Sequence, residues 1–121
     1  MQINLNHLPD SDLNPNKRLH YMVLATAKRD AKEEAFALVL QQGRPVKPYD
    51  KAHITITWVA TDKRRRDVDN LFSSMKGYID GLVHAGLIAD DSAMNVNYTL
   101  KYEQGEKNNT IIDVEDITIP V

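Results

Sequence analysis

Apolar and polar residues alternate along this chain with two periods, and the changes between them mark its elements. Residues 2–7, "QINLNH", place Ile3 and Leu5 on one side, which predicts a short strand. "PDSDLNPN" then reads as a loop. From about 18 to 41 the spacing turns helical, through Leu19, Met22, Val23, Ala27, Ala31, Phe36, Val39 and Leu40. Asn16 or a near neighbour is the expected cap, Gly43 the stop, and "KRDAKEE" the place for a break. "HITITWVA" at 53–60 returns to a period of two, with Ile54, Ile56 and Trp58 on its apolar face. A charged connector follows over 61–68. A second helix is predicted from about 70 to 85, carrying Leu71, Phe72, Met75, Tyr78, Ile79, Leu82 and Val83 and ending at Gly86. "MNVNYTLKY" at 94–102 alternates strictly, "EQGEKNN" reads as a hairpin turn, and "TIIDVEDITI" as the last strand. The order β-α-β-α-β-β predicts an α/β fold. One domain, residues 1–121, holds a mixed sheet with helices packed on it.

Composition narrows the class without changing that picture. With 121 residues the chain suits one domain with a modest core, and 42% hydrophobic and 26% charged residues are ordinary for a globular protein. It has no cysteine, so disulfide and thiolate chemistry are excluded. No apolar run approaches the roughly 18 residues of a membrane span. "MQINLNHLPDSD" lacks the basic start and apolar block of a signal peptide, and a cytoplasmic location is expected. The net charge of −2 argues against a general nucleic-acid binder, but it is unevenly spread. Residues 1–60 carry +2 and residues 61–121 carry −4.

That second half contains "RRRDVDN" at 64–70, where three arginines run into Asp67 and Asp69. Carboxylates at i and i+2 of an extended segment point the same way and repel unless a proton or a cation lies between them. Asp90 and Asp91 form a second acidic pair beyond the predicted helix. At ~100° per residue, Asp69, Ser73, Lys76 and Asp80 share one stripe of that helix, opposite its apolar face. Gly77 and Gly81 lie one turn apart beside the stripe and permit close approach by another element. These parts meet the needs of metal-assisted phosphodiester hydrolysis. Hard oxygens from Asp67, Asp69, Asp90 and Asp91 suit Mg²⁺. Lys76 suits a developing oxyanion, and Lys63, Arg64, Arg65 and Arg66 suit neighbouring DNA phosphates. A plainer reading is open too: the aspartates cap a helix, and the basic run is a solvated turn. The histidines, at 7, 20, 53 and 84, show no metal-ligand spacing, and no phosphate loop or nucleophile elbow is present.

The segment "RRRDVDNLFSSMKGYIDGLVHAGLIADDS", residues 64–92, resembles the RusA family of Holliday junction resolvases, endodeoxyribonucleases often carried by phages and prophages. The matching positions are the arginine-rich approach, Asp67-x-Asp69-Asn70, Lys76, Asp80 with Leu82, and Asp90-Asp91. "NPNKRLH" at 14–20 resembles the family's N-terminal Pro-Asn segment, and "KYEQGEKNNTIIDVED" its closing hairpin. The family lysine follows the asparagine by three residues; here Ser73 holds that place and Lys76 comes one helical turn later. The resemblance implies a RusA-like α/β fold, a homodimer, dependence on Mg²⁺, and paired nicking of four-way and related branched DNA in recombination and repair. It implies catalytic and metal-binding roles for Asp67, Asp69 and Asp91, with Asp90 supporting and Lys76 assisting. A non-catalytic DNA-binding dimer of the same fold is the alternative.

Overall fold

A computed structural model describes residues 1–15, 17 and 20–119. Its elements are β1 (Gln2–Asn4), a 3₁₀ turn (Ser11–Leu13), α1 (Tyr21–Gln42), β2 (Ala52–Ala60), α2 (Val68–Ser73), α3 (Lys76–His84), β3 (Val96–Gln104) and β4 (Asn109–Asp116). The four strands form one mixed sheet in the order β1-β4-β2-β3, as an α/β fold requires. β3 runs parallel to β2, while β4 is antiparallel to both β2 and β1.

β2 is central because its sequence suits burial. Ala52, Ile54, Ile56, Trp58 and Ala60 are all fully buried, and the alternate residues are half-buried. β-branched and aromatic side chains fit such a pleated, enclosed surface. Trp58 contributes the largest buried ring, worth roughly 3 kcal/mol by area. Its indole N–H finds no hydrogen-bond partner among the described residues, a local cost of about 1–3 kcal/mol.

The expected closing hairpin is not one. β3 and β4 lie on opposite sides of β2, so "EQGEKNN" crosses the end of the central strand. The Gly105 N–H donates to the Ala60 carbonyl at 3.0 Å, and the Thr61 N–H donates to Asn108 Oδ1 at 2.9 Å. A Cβ on Gly105 would meet Val59 Cγ1 at 2.6 Å, so the crossing is possible because residue 105 has no side chain. Alternation marks both strands but does not choose their neighbours; β2, apolar enough to be flanked on both edges, takes the place between them.

The helices also differ from expectation. α1 is unbroken through "KRDAKEE" and begins at Tyr21, with His20 as its cap; Nδ1 of His20 accepts from the Met22 N–H at 3.3 Å. The cap expected at Asn16 lies outside the described residues. The helix predicted over 70–85 is two, α2 and α3, separated at Ser74–Met75. Ser74 is buried, and its hydroxyl donates to the Asn70 carbonyl at 2.9 Å and faces the Leu13 carbonyl at 3.3 Å. A serine bonding back to its own preceding turn competes with the helical ladder there.

α1 and α3 meet through small residues. Ala27, Ala31, Ala35 and Val39 form the buried stripe of α1. A Cβ on Gly77 would come within 2.8 Å of the Lys28 carbonyl oxygen and 3.0 Å of Ala31 Cβ. One on Gly81 would strike the Lys32 carbonyl oxygen and lie 2.8 Å from Ala35 Cβ. The two glycines allow the close approach expected of them.

Candidate functional site

The approach to α2 is organised by one ion pair the spacing did not reveal. Arg66 donates from Nη1 and Nη2 to the two carboxylate oxygens of Asp62, at 2.7 and 3.1 Å. Nη1 also donates to the Tyr102 hydroxyl at 3.0 Å, which ties the connector to β3. The hydrogen bond from Arg66, then that from the Arg64 backbone, holds the Asp62 carboxyl down at about 2. Asp62 in turn pushes the Arg66 pKa up. Arg66 is thus occupied and mostly covered, with 18% of its side chain exposed. Arg64 and Arg65 remain at the surface. Among the four basic residues expected to hold DNA, Arg66 alone is not exposed.

Asp67 is the N-cap of α2, yet its side chain makes no capping hydrogen bond. It faces Arg65 instead, 3.0 Å from Nη2. Asp69 follows in the first turn of α2 and is exposed. The capping reading of this aspartate pair therefore fails for Asp67. Near a helix start a negative charge at either position is still favourable, by about 0.3–1 kcal/mol.

The second acidic turn is joined to the helix by Lys76. Its ammonium donates to Asp91 Oδ2 in a very short contact and pairs with Asp80 Oδ1 at 3.0 Å. The hydrogen bond from Lys76 lowers the Asp91 pKa, and Asp91 and then Asp80 raise that of Lys76. Asp90 faces its neighbour, with Oδ1 accepting from the Asp91 N–H at 2.8 Å. Of the stripe read from the spacing, Lys76 and Asp80 are in contact on α3, Asp69 and Ser73 belong to the separate α2, and Asp91 joins Lys76 across 15 residues of chain.

These groups border two depressions. The first, about 380 Å³, is lined on one side by Arg64, Arg65, Arg66, Asp67 and Asn70, and on the other by Leu8, Asp10, Ser11 and Asn14. The second, about 210 Å³, has Phe72, Met75, Ile79 and Tyr98 as its apolar floor, with Lys76 and Asp91 at its rim. Phe72 and Tyr98 meet edge to face at 4.9 Å. α2 lies between the depressions, presenting Asn70 and Leu71 to the first and Phe72 and Ser73 to the second. Asp67 and Asp91 consequently border different depressions.

Among the described residues no three histidine, aspartate or glutamate side chains are grouped so as to hold a metal ion. The four acids expected to share Mg²⁺ are divided between the start of α2 and the turn after α3. Their chemistry still fits the ion. Mg²⁺ keeps several waters and is commonly held by one or two carboxylates together with substrate phosphates. Asp67 and Asp69 bring two carboxylates to the start of α2, beside Arg64 and Arg65.

Asp62, Tyr102 and the facing wall of residues 8–14 were not found from sequence. The Asp62–Arg66 spacing of four is a recognised pair only on a helix, and this connector is not helical. No helix is long and apolar enough to cross a membrane among the described residues. No protein-family model matches the sequence, and no curated protein matches it.

Proposed function

We propose that this chain is a Mg²⁺-dependent endodeoxyribonuclease that nicks branched DNA, as its resemblance to the RusA resolvases implies. The observation that carries the reading is the shared groove: Arg64 and Arg65 line the same depression as Asp67, at the start of α2. A phosphate drawn in by the arginines arrives beside carboxylates that suit a divalent ion. The DNA strand would lie across α2, from Arg64 and Arg65 in the first depression to Lys76 at the rim of the second. The arginines bind successive phosphates, and their fork geometry orients the strand. Asp67 and Asp69 would hold the ion, which would supply an activated water and counter-charge for the scissile phosphate. Asp91 and Asp80 aim the Lys76 ammonium, which remains protonated and stabilises charge on a phosphate oxygen. Asp90 supports the turn through the Asp91 N–H. A homodimer would supply two related sites for paired nicks.

The division of the acids favours a second reading, a DNA-binding module of the same fold that does not cut. One experiment separates them: a synthetic four-way junction and a matching linear duplex are incubated with wild type and Asp69→Asn, with Mg²⁺ or with chelator. Paired nicks in the junction alone, lost with chelator and in Asp69→Asn, are the expected result. Losing a partner of a metal ligand costs about 10–100-fold, and losing a ligand should cost at least that. Equal cutting of both DNAs would keep the nuclease and remove junction selectivity. Binding with no cutting would establish the module.

A further inference from the structure

His7 stands where the chain leaves the sheet after β1. Its backbone carbonyl accepts from Thr110 Oγ1 at 2.8 Å, which fixes this point to β4. Beyond it, Leu8, Pro9, Asp10, Ser11 and Asn14 line the same depression as Arg64–Arg66 and form its other wall. The His7 ring lies between two oxygen acceptors: Nδ1 is 2.6 Å from the Leu8 carbonyl oxygen, and Nε2 is 2.7 Å from Glu34 Oε2 on α1. Neither oxygen has a proton to give when Glu34 is ionised. A neutral imidazole has one N–H and can satisfy only one of them; an imidazolium satisfies both.

The surrounding groups reinforce the charged form. Glu34 and Asp10 are the charged groups facing the ring, from α1 and from the wall itself. On α3, the Tyr78 ring lies beside His7, with its centroid 6.4 Å away. Burial, then the charge of Glu34, pushes the Tyr78 hydroxyl up to about 12, so it stays neutral at ordinary pH. For His7, partial burial acts to lower the pKa. The Leu8 carbonyl, the Glu34 hydrogen bond and the charges of Glu34 and Asp10 outweigh it and leave the pKa raised. A raised folded-state pKa means that the stabilisation is fully present below the unfolded histidine value. It is lost as pH rises through the folded one.

We propose that His7 is a proton-dependent positioning residue: as imidazolium it latches residues 8–14 to α1 and holds the groove wall against the arginines. Loss of the proton removes one of the two bonds and loosens that wall. The consequence for DNA rests on the reading of the groove as a phosphate site; the latch itself does not.

The test is an NMR titration of the full chain, following the His7 ring and the backbone amides of Ser11, Asn14 and Arg65. In wild type the ring should titrate above the ordinary histidine value, and the three amides should move with the same midpoint. In Glu34→Gln the midpoint should fall, and the amides should follow it down. A ring that titrates at or below the ordinary value, or amides that ignore it, would overturn the latch. A second arm measures binding of the four-way junction in chelator across the same pH range, for wild type and His7→Gln. Wild type should lose affinity across the His7 titration more steeply than His7→Gln, which has no ring to titrate. Identical profiles would overturn the coupling to the groove. Amides that follow His7 in a chain that binds no DNA at any pH would uphold the latch and sink the phosphate reading.

Discussion

The seam between α1 and α3 and the connector leading into α2 are built on opposite principles. The seam is made of glycine and alanine, and its backbones approach so closely that a single methyl group has no room. The connector is charged and largely exposed, held by Arg66 with Asp62, by Arg65 with Asp67, and by the tie to Tyr102. Close packing of small residues tolerates almost no change in volume, because the atoms that must move are main chain. Exposed ion pairs are individually weak and can be exchanged for a ligand's charges. The rigid seam therefore sets where Lys76 and the second acidic turn lie. The connector leaves Arg64, Arg65, Asp67 and Asp69 accessible to a partner.

Breaking the seam should have the largest effect. Gly81→Val forces a branched side chain against the Lys32 carbonyl, and overpacking of this kind should cost about 3 kcal/mol or more. Chemical denaturation would show it as a lower midpoint. A midpoint unchanged from wild type would mean that the helices are not tightly apposed.

The connector should respond in function rather than in stability. Replacing both Arg64 and Arg65 by alanine should weaken DNA binding and reduce its logarithmic salt dependence by about 2, with little change in thermal unfolding. Arg66→Ala should do the reverse, lowering thermal stability while leaving that salt dependence close to wild type. If Arg66→Ala instead reduced the salt dependence as the exposed arginines do, the division of labour within the triplet would be wrong.

The smallest expected effect is a titration. Asp62 should take up its proton near pH 2 in wild type, because Arg66 and the Arg64 backbone favour its ionised form. A depressed folded-state pKa means that its stabilising contribution is present above the ordinary carboxylate range. It is lost as pH falls through about 2. In Arg66→Ala, the carboxyl signal should move back toward the ordinary range. A midpoint unaffected by the substitution would remove Arg66 as the cause.

Much of this fold was legible because period and burial coincide. The alternation through Ile54, Ile56 and Trp58 marked β2, and the buried apolar positions Tyr78, Ile79 and Leu82 marked α3. The break at Ser74 was not legible. There the Ser74 hydroxyl bonds Asn70 and meets Leu13 across 61 residues, while the apolar spacing runs through the break undisturbed. In the candidate site, the Lys76–Asp80 half of the expected stripe followed from helical geometry, while the break between α2 and α3 puts Asp69 and Ser73 on a separate helix. The joining of Lys76 to Asp91, and the capture of Arg66 by Asp62, needed the folded chain.

The sequence alone determined the strands, the helical faces and the residue types available for chemistry. These depend on local spacing and on which side chains gain by leaving water. Only the tertiary structure decided that β4 lies beside β2, that α2 separates Asp67 from Asp91, and that His7 faces Glu34. Those outcomes depend on contacts between distant segments, where packing and ion pairing choose among partners that local sequence leaves equivalent.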